Sequence, residues 1–265
     1  METLDTITDR HLMIIEVPDK QRYFVVKRLV DIVFSSTLLF LLSPLLLIII
    51  ICIRLDSQGP VLFKQTRVGY NRRRGRPRRC SPSLPPSQQD RRLRSDRRQK
   101  DLCARPFTMY KFRTMFQNVE HNIHCQYVQK LIRGEIPQTH NANEVNPPIY
   151  KLEQDPRITR IGRFLRRFSL DELPQLINVL KGDMSLVGPR PPVLYEVEEY
   201  QEWHKARLAP KPGMTGWWQV AGRSRVTFDE MVHMDVYYAE NCSLLFDLKI
   251  LLLTPWVVIT CKGAR

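Results

Sequence analysis

The sequence predicts an α+β chain, predominantly helical, in which an apolar membrane segment leads into a polar domain. Three observations carry this expectation: 22 residues without a charged side chain from Ile32 to Ile53, an alternating stretch FTMYKFRTM at 107–115, and apolar residues at helical spacing between 157 and 181. With 265 residues the chain has room for one large or two small domains and a substantial core. The expected division is an N-terminal extension at 1–26, a membrane segment at 27–55 and a domain at 56–265, interrupted by an arginine-rich insert at 71–106.

The apolar run comes first. As a straight helix, 22 residues extend ~33 Å, enough to cross a hydrocarbon core. The run is too long for a cleavable signal and lacks a small-residue cleavage site. Pro44, after Ser43, removes a helical hydrogen bond near the middle, so a break is expected there. Both flanks are basic, with Lys27 and Arg28 before and Arg54, Lys64 and Arg67 after, and the charge asymmetry of a spanning helix is absent. Residue physics leaves two readings open: a proline-kinked span, which is common, or a segment that turns at Ser43-Pro44 and returns to the same face.

Charge is concentrated rather than spread. The net charge is +14, and residues 71–106 alone hold twelve Arg and one Lys against Asp90, Asp96 and Asp101, a net of +10. The remaining 229 residues carry only +4. With almost no apolar side chains, the block is expected to stay outside any core, as a disordered or loosely tethered insert. A nucleic-acid function would rest on this block alone, since no zinc-finger spacing or helix-turn-helix pattern accompanies it. The six cysteines form no CxxC pair, which suits reduced thiols. His121, His124 and Cys125 have a spacing a metal could use, but no second ligand cluster supports it, and a structural role is expected.

After the insert, 107–115 reads as a strand, the stretch to about Arg133 as a polar helix and 134–156 as a loop. RITRIGRFLRRFSL then sets Ile158, Ile161, Leu165 and Phe168 at spacings of three and four, with arginines between them. Such a basic amphipathic helix suits a headgroup layer, and equally a core with a solvated arginine face. Ser169 and Glu172 match a capping box, with Leu173, Leu176, Ile177 and Leu180 at helical spacing up to Gly182. Asp171 and Glu172 are therefore expected at a helix N-terminus, where the dipole favours their ionised forms. Capping is the ordinary reading of such carboxylates, and a divalent cation or a phosphorus electrophile the functional one.

Two further stretches favour the functional reading. GDMSLVGPRPP (182–192) holds Arg190 on a stiff turn between prolines, a guanidinium fork suited to phosphate. KPGMTGWWQVAGRSRVTFDE (211–230) has Gly213, Gly216 and Gly222, which permit close backbone approach, and then Arg223 and Arg225. The final apolar run, Ile250–Ile259 with Pro255 inside it, is too short to span; interface or core are both open for it, with Trp217, Trp218 and Trp256 available as anchors.

The ordered stretches KRLVDIVFSSTLLFLLSPLLLIII, GPVLFKQTRVG, FTMYKFRTM, ITRIGRFLRRFSLDELPQLINVLKGDMSLVGPRP, KPGMTGWWQVAGRS and DLKILLLTPWVVITCKGAR resemble the bacterial sugar transferases, monotopic phosphoglycosyl transferases that begin glycan assembly on a polyprenyl phosphate. The resemblance covers nearly the whole chain from about Lys27, apart from the insert. It implies a re-entrant membrane helix-break-helix turning at Ser43-Pro44, plus a cytoplasmic catalytic domain with amphipathic interfacial helices. It reverses the preference for a spanning helix. It also implies that Asp171 is the nucleophile, that Asp171 and Glu172 serve the required Mg²⁺, and that the substrates are a UDP-sugar and polyprenyl phosphate. The wording TGWWQVAGRS is closer to the hexose-1-phosphate branch, and the short stretch before the membrane segment is expected to lack the multi-span region of larger members. By our own assignment Arg190 and Arg223 bind phosphate, while Lys27 and Arg28 anchor the hairpin or steer the lipid. The expected location is the cytoplasmic face of the bacterial inner membrane, with a homodimer and downstream glycosyltransferases as protein partners and no nucleic acid. The competing expectation from another class is a non-catalytic basic membrane adaptor or nucleic-acid tether.

Overall fold

The computed structural model describes residues 21–70, 105–116, 132, 157–222 and 226–260. Almost all of the arginine-rich insert, the His121–Cys125 cluster, the 134–156 loop and Arg223 lie outside them. Helices dominate the described residues, with two small sheets.

Helix α1 (Gln21–Leu41) and helix α2 (Ser43–Asp56) are separated by one residue and bent by 62°. Leu42 takes φ −87° and ψ 0°, Pro44 sits in the first turn of α2, and the Ser43 hydroxyl donates to Phe40 O at 2.8 Å. The break therefore falls where the proline demands it, and the serine satisfies a carbonyl that the proline leaves without a donor. No single helix among the described residues is long and apolar enough to cross a membrane. Val25, Leu29, Val33, Phe40, Leu47, Ile51 and Leu55 are exposed along the pair.

One row of polar residues on α1, Tyr23, Lys27, Asp31 and Ser35, points the other way, into the protein. Lys27 donates to Asp247 Oδ2 at 2.6 Å and to the Tyr238 hydroxyl at 3.1 Å, and Tyr23 donates to the same Asp247 oxygen at 2.9 Å. Arg28 donates to Val179 O at 2.5 Å and Leu180 O at 2.7 Å. Asp31 Oδ1 accepts from Ser185 Oγ at 3.0 Å and from Leu186 N at 2.9 Å. At the far end of the pair, Arg113 donates to Ser57 O at 2.6 Å and Gln58 O at 2.8 Å, and Asp56 accepts from Ile161 N at 3.2 Å. Both ends of the bent pair are thus fastened to one polar body.

Strands β1 (Leu62–Val68) and β2 (Pro106–Phe112) form an antiparallel ladder running from Leu62↔Phe112 to Val68↔Pro106. Gly69 N donates to Arg105 O at 2.9 Å beyond the last pair. The arginine-rich insert therefore begins and ends at a closed hairpin mouth. Closing the hairpin across Tyr70-Asn-Gly, three residues, rather than the 35 of 70–104 lowers the entropic cost by about 2 kcal/mol. Replacing residues 71–104 with Asn-Gly is expected to leave the melting temperature unchanged or raised; a fall of more than about 5 °C would show that the insert supports the fold.

Helix α3 (Arg160–Arg167) starts at Thr159, whose hydroxyl accepts from Gly162 N at 2.9 Å. Leu165 is fully buried against Ile49, Ile53 and Phe112, while Phe164 is exposed. One apolar face of this basic helix thus packs on the protein, and Phe164 remains outside. A 3₁₀ turn (Leu170–Glu172) leads into α4 (Gln175–Lys181), which ends at Gly182 with φ 83°. Strand β3 (Ser185–Val187) pairs in parallel with β4 (Gly213–Thr215), and the short α5 (Leu194–Glu198) and α6 (Trp217–Ala221) lie nearby in sequence.

Helix α7 (Phe228–Asn241) opens with a capping box between Thr227 and Glu230, and α8 (Leu244–Ile259) with the Ser243 hydroxyl accepting from Phe246 N. The main core gathers Leu176, Val179, Met184, Val187, Tyr238 and Ile250. The closing apolar run is longer and more mixed than expected: α8 continues through Pro255, burying Ile250 while Leu252 and Trp256 stay exposed. Trp217 and Trp218 pack against the two main core clusters rather than standing as free anchors.

Candidate active site

The expected capping box at Ser169 is corrected by the structure. Ser169 has φ 55°, a left-handed conformation, and its side chain caps nothing. An N-cap needs extended backbone, which this position does not have. Pro174 starts α4 only after Glu172, so Asp171 and Glu172 occupy the 3₁₀ turn before the helix instead of its first turn. Glu172 faces strand β2.

There it meets a lysine that the sequence reading passed over. Lys111 Nζ lies 2.7 Å from Glu172 Oε1, and Arg190 Nη1 lies 3.5 Å from the same oxygen. The Lys111 side chain is 14% exposed against 38% for Arg190, so the lysine is the inner cation of the pair. Burial pulls the Lys111 ammonium below its usual range, Glu172 pushes it back up and Arg190 lowers it again. Asp171 acts on Lys111 in the same direction as Glu172. Both carboxylates, Lys111 and Arg190 are therefore within electrostatic reach of one another.

The backbone around them is tied down by one buried side chain. Asn178 Oδ1 accepts from Tyr110 N at 3.0 Å and Nδ2 donates to Thr108 O at 2.7 Å. Asn178 is fully buried, and the two bonds clip α4 to strand β2 beside Lys111. Fixed relative position of two elements is what keeps a lysine and a carboxylate in register.

Arg190 is carried by a loop wedged between glycines. Gly188 N donates to Thr215 O at 2.9 Å and Gly213 N donates to Pro189 O at 2.9 Å. A Cβ on Gly213 would lie 2.1 Å from Gly188 N, and one on Gly188 would lie 2.3 Å from Lys211 O. The close backbone approach expected at Gly213 is made to Gly188, because the two loops cross at backbone contact. Arg67, from β1, donates to Pro191 O at 3.0 Å and steadies the same loop. Burial, with Arg190 beside it, pulls the Arg67 guanidinium down to about 10.

Of the remaining expected site residues, Lys27 and Arg28 are engaged in protein contacts on α1, as described above, and do not join the carboxylates through any contact seen here. Arg28 caps the carboxyl end of α4, the helix that Asp171 and Glu172 precede. Ser43 and Pro44 lie at the helix break.

A family profile described as bacterial sugar transferase matches residues 22–77 and 92–261. The chain belongs to that family. The profile passes over 78–91, inside the arginine-rich block. Among curated relatives, the chain is 38% identical over 247 residues to the galactosyl transferase CpsE of Streptococcus agalactiae, covering 93% of this chain and 45% of the relative. It is 39% identical over 238 residues to the undecaprenyl-phosphate galactose phosphotransferase of Salmonella typhimurium, covering 90% and 41%. It is 32% identical over 245 residues to the exopolysaccharide production protein ExoY of Rhizobium meliloti, covering 90% and 87%. The chain thus spans less than half the length of the first two relatives and most of the third. Among these sugar transferases the shared segment includes β1, β2 and the whole stretch that carries the carboxylates, Lys111 and Arg190.

The site's residues fit a divalent cation of the Mg²⁺ kind. Two adjacent, half-buried carboxylates supply hard oxygens, and among the described residues no third His, Cys, Asp or Glu joins them. Mg²⁺ is ordinarily held by one or two carboxylates with substrate phosphates and waters completing the shell. A set of two carboxylates ringed by cations suits a metal that arrives with a phosphorylated ligand.

Proposed function

We propose that the protein transfers a hexose 1-phosphate from a UDP-sugar to polyprenyl phosphate, giving polyprenyl diphosphate hexose and UMP, as the first membrane step of an exopolysaccharide or O-antigen-type glycan. What supports this reading is the convergence of Asp171, Glu172, Lys111 and Arg190 in a sugar transferase whose relatives are named for galactose phosphotransfer to undecaprenyl phosphate.

In the first half-reaction an Asp171 carboxylate oxygen attacks the β-phosphorus of the UDP-sugar. The bond from that phosphorus to the bridging oxygen breaks, and UMP departs with the electron pair. The sugar phosphate is then held on Asp171 as an acyl phosphate. In the second, an oxygen of polyprenyl phosphate attacks the same phosphorus, and the bond to Asp171 breaks to restore the carboxylate. Arg190 binds phosphate oxygens, with Arg223 a second candidate beyond the described residues. Lys111 and Glu172 set the charge around the reacting phosphorus. Asp171 and Glu172 would hold Mg²⁺, which when bound would supply Lewis-acid neutralisation of the diphosphate. Division into two steps brings the bulky anions to the carboxylate one at a time.

The bent pair α1–α2 lies in one leaflet in this reading, entering and leaving from the cytoplasmic face of the inner membrane. The support is topological: Lys27, Arg28 and Asp31 at one end and Asp56, Ser57 and Gln58 at the other bond to the same polar domain. A span would place those ends on opposite sides. Exposed apolar side chains along the pair, with Phe164 and Trp256 elsewhere, supply the lipid-facing surface.

A panel of UDP-sugars incubated with polyprenyl phosphate and Mg²⁺ tests the proposal. Glycolipid formation with stoichiometric UMP from UDP-galactose or UDP-glucose is expected. Release of UDP in place of UMP would mean ordinary glycosyl transfer, and the phosphoryl reading would fall.

A further inference from the structure

The charge balance of the site has a consequence for how a metal enters it. Lys111 and Arg190 bring two positive charges to Glu172, with Asp171 within electrostatic reach of Lys111 and with Arg67 held among Arg190, Glu196 and Glu172. Lys111 and Arg190 converge on one oxygen, Glu172 Oε1, at 2.7 and 3.5 Å. A lone divalent cation approaching that carboxylate must displace or face two cations in a partly buried site, where like charges repel more strongly than in open solvent. A cation accompanied by a nucleoside diphosphate brings the compensating negative charge with it, and that diphosphate also offers Lys111 an alternative partner.

We propose that Lys111 is a resident counter-ion on Glu172 that excludes a free divalent cation and yields the carboxylate only when metal and diphosphate arrive together. The inference rests on the metal-assisted reading above and goes beyond it by making metal binding conditional on nucleotide. Lys111 is suited to this because its root is immobile: Lys111 pairs with Phe63 in the ladder and its neighbour Tyr110 is clipped to Asn178. Its four-carbon stem and compact ammonium can shift from one anion to another without moving the strand. Glu172 precedes α4 in the 3₁₀ turn, and Asn178 ties that helix to the same strand, so the pair keeps its spacing in the free protein.

The test uses the full chain in lipid nanodiscs and the paramagnetic probe Mn²⁺, followed by the electron paramagnetic resonance signal of free ion, with no turnover required. The wild-type protein should bind Mn²⁺ alone weakly and at least about tenfold more tightly with saturating UDP, after correction for the Mn²⁺–UDP complex in solution. Lys111→Met should bind Mn²⁺ alone at least about tenfold more tightly than wild type and lose most of the response to UDP. Lys111→Arg, which keeps the charge, should stay weak without UDP. Melting curves of both variants confirm that they are folded, and if Lys111→Met does not fold, the wild-type and Lys111→Arg measurements decide. Equal Mn²⁺ affinity with and without UDP in the wild type overturns the proposal, as does a Lys111→Met variant that binds Mn²⁺ alone no better than wild type. Those results would leave the transfer reading standing. Failure of Mn²⁺ to bind even with UDP would remove the metal from both.

Discussion

Asp171→Asn is expected to leave a folded protein that gains no mass when incubated with labelled UDP-hexose in the absence of lipid. The wild type should gain one hexose phosphate on intact mass analysis and release one equivalent of UMP. Asn keeps the shape of the side chain and removes the carboxylate proposed as nucleophile, so the proposed chemical step loses its attacking oxygen while the surrounding packing is retained. Overall transfer should fall by on the order of 10³-fold or more. Asp171 is half-buried within a short 3₁₀ turn, so its replacement should move the melting temperature by only a few degrees at most. A variant that still forms glycolipid at the wild-type rate would leave the carboxylate without a chemical role.

The second large effect is structural. Gly213→Ala places a methyl group 2.1 Å from Gly188 N, 2.6 Å from Val187 C and 2.7 Å from Gly188 Cα. All three are backbone atoms, and none can rotate aside. The β3–β4 pair must separate, which breaks the Gly213 N bond to Pro189 O and the Gly188 N bond to Thr215 O. A penalty of at least about 3 kcal/mol follows, or roughly 6–12 °C of melting temperature for a protein of this size. Arg190 rides on the displaced loop, so nucleotide binding should weaken together with stability. Gly222 provides the contrast, because an added Cβ there meets side-chain atoms of Val226 and Met234, which can adjust. An unchanged melting temperature in Gly213→Ala would refute the close-crossing account.

Local chemistry made some of the architecture readable in advance. Pro44 after Ser43 marks the break within one residue, Gly182 ends α4 in a left-handed conformation, and alternation at 107–112 marks β2. Each of these depends on residues adjacent in the chain. The partner of β2 lies across the arginine-rich insert, and pairing over that distance leaves no local trace. Ser169 and Glu172 match the capping-box pattern, yet the true box forms at Thr227 and Glu230. Pro174 delays α4 and Lys111 attracts Glu172, and neither influence shows in a four-residue pattern.

The site followed the same division. Adjacent carboxylates and a proline-flanked arginine drew attention because their residue types are unusual together. Lys111 did not, since a lysine between Tyr110 and Phe112 reads as a strand residue facing solvent, and only tertiary packing turns it toward Glu172. Lys27 and Arg28 show how tertiary packing redirects a residue. Beside an apolar run they read as headgroup anchors, but the fold lays the carbonyl end of α4 and the Asp247 carboxylate alongside α1, and both cations turn inward to them. A useful signal was present in the four-residue spacing from Lys27 to Asp31, which puts both on one helical face with Tyr23 and Ser35.

The closed mouth of the β1–β2 hairpin also divides the molecule in an unexpected way. Among the described residues, those before Gly69 form the bent apolar pair and one strand, and those after Arg105 include Lys111, Asp171, Glu172 and Arg190. Cut at that point, the polypeptide becomes two fragments joined by a seven-residue ladder, by the grips of Lys27, Arg28, Asp31 and Arg113, and by apolar packing such as Ile49 and Ile53 on Phe112 and Leu165. With the bent pair in one leaflet as proposed, such fragments should find each other at the bilayer, where confinement raises their effective concentration, and their reassembly would report on that placement.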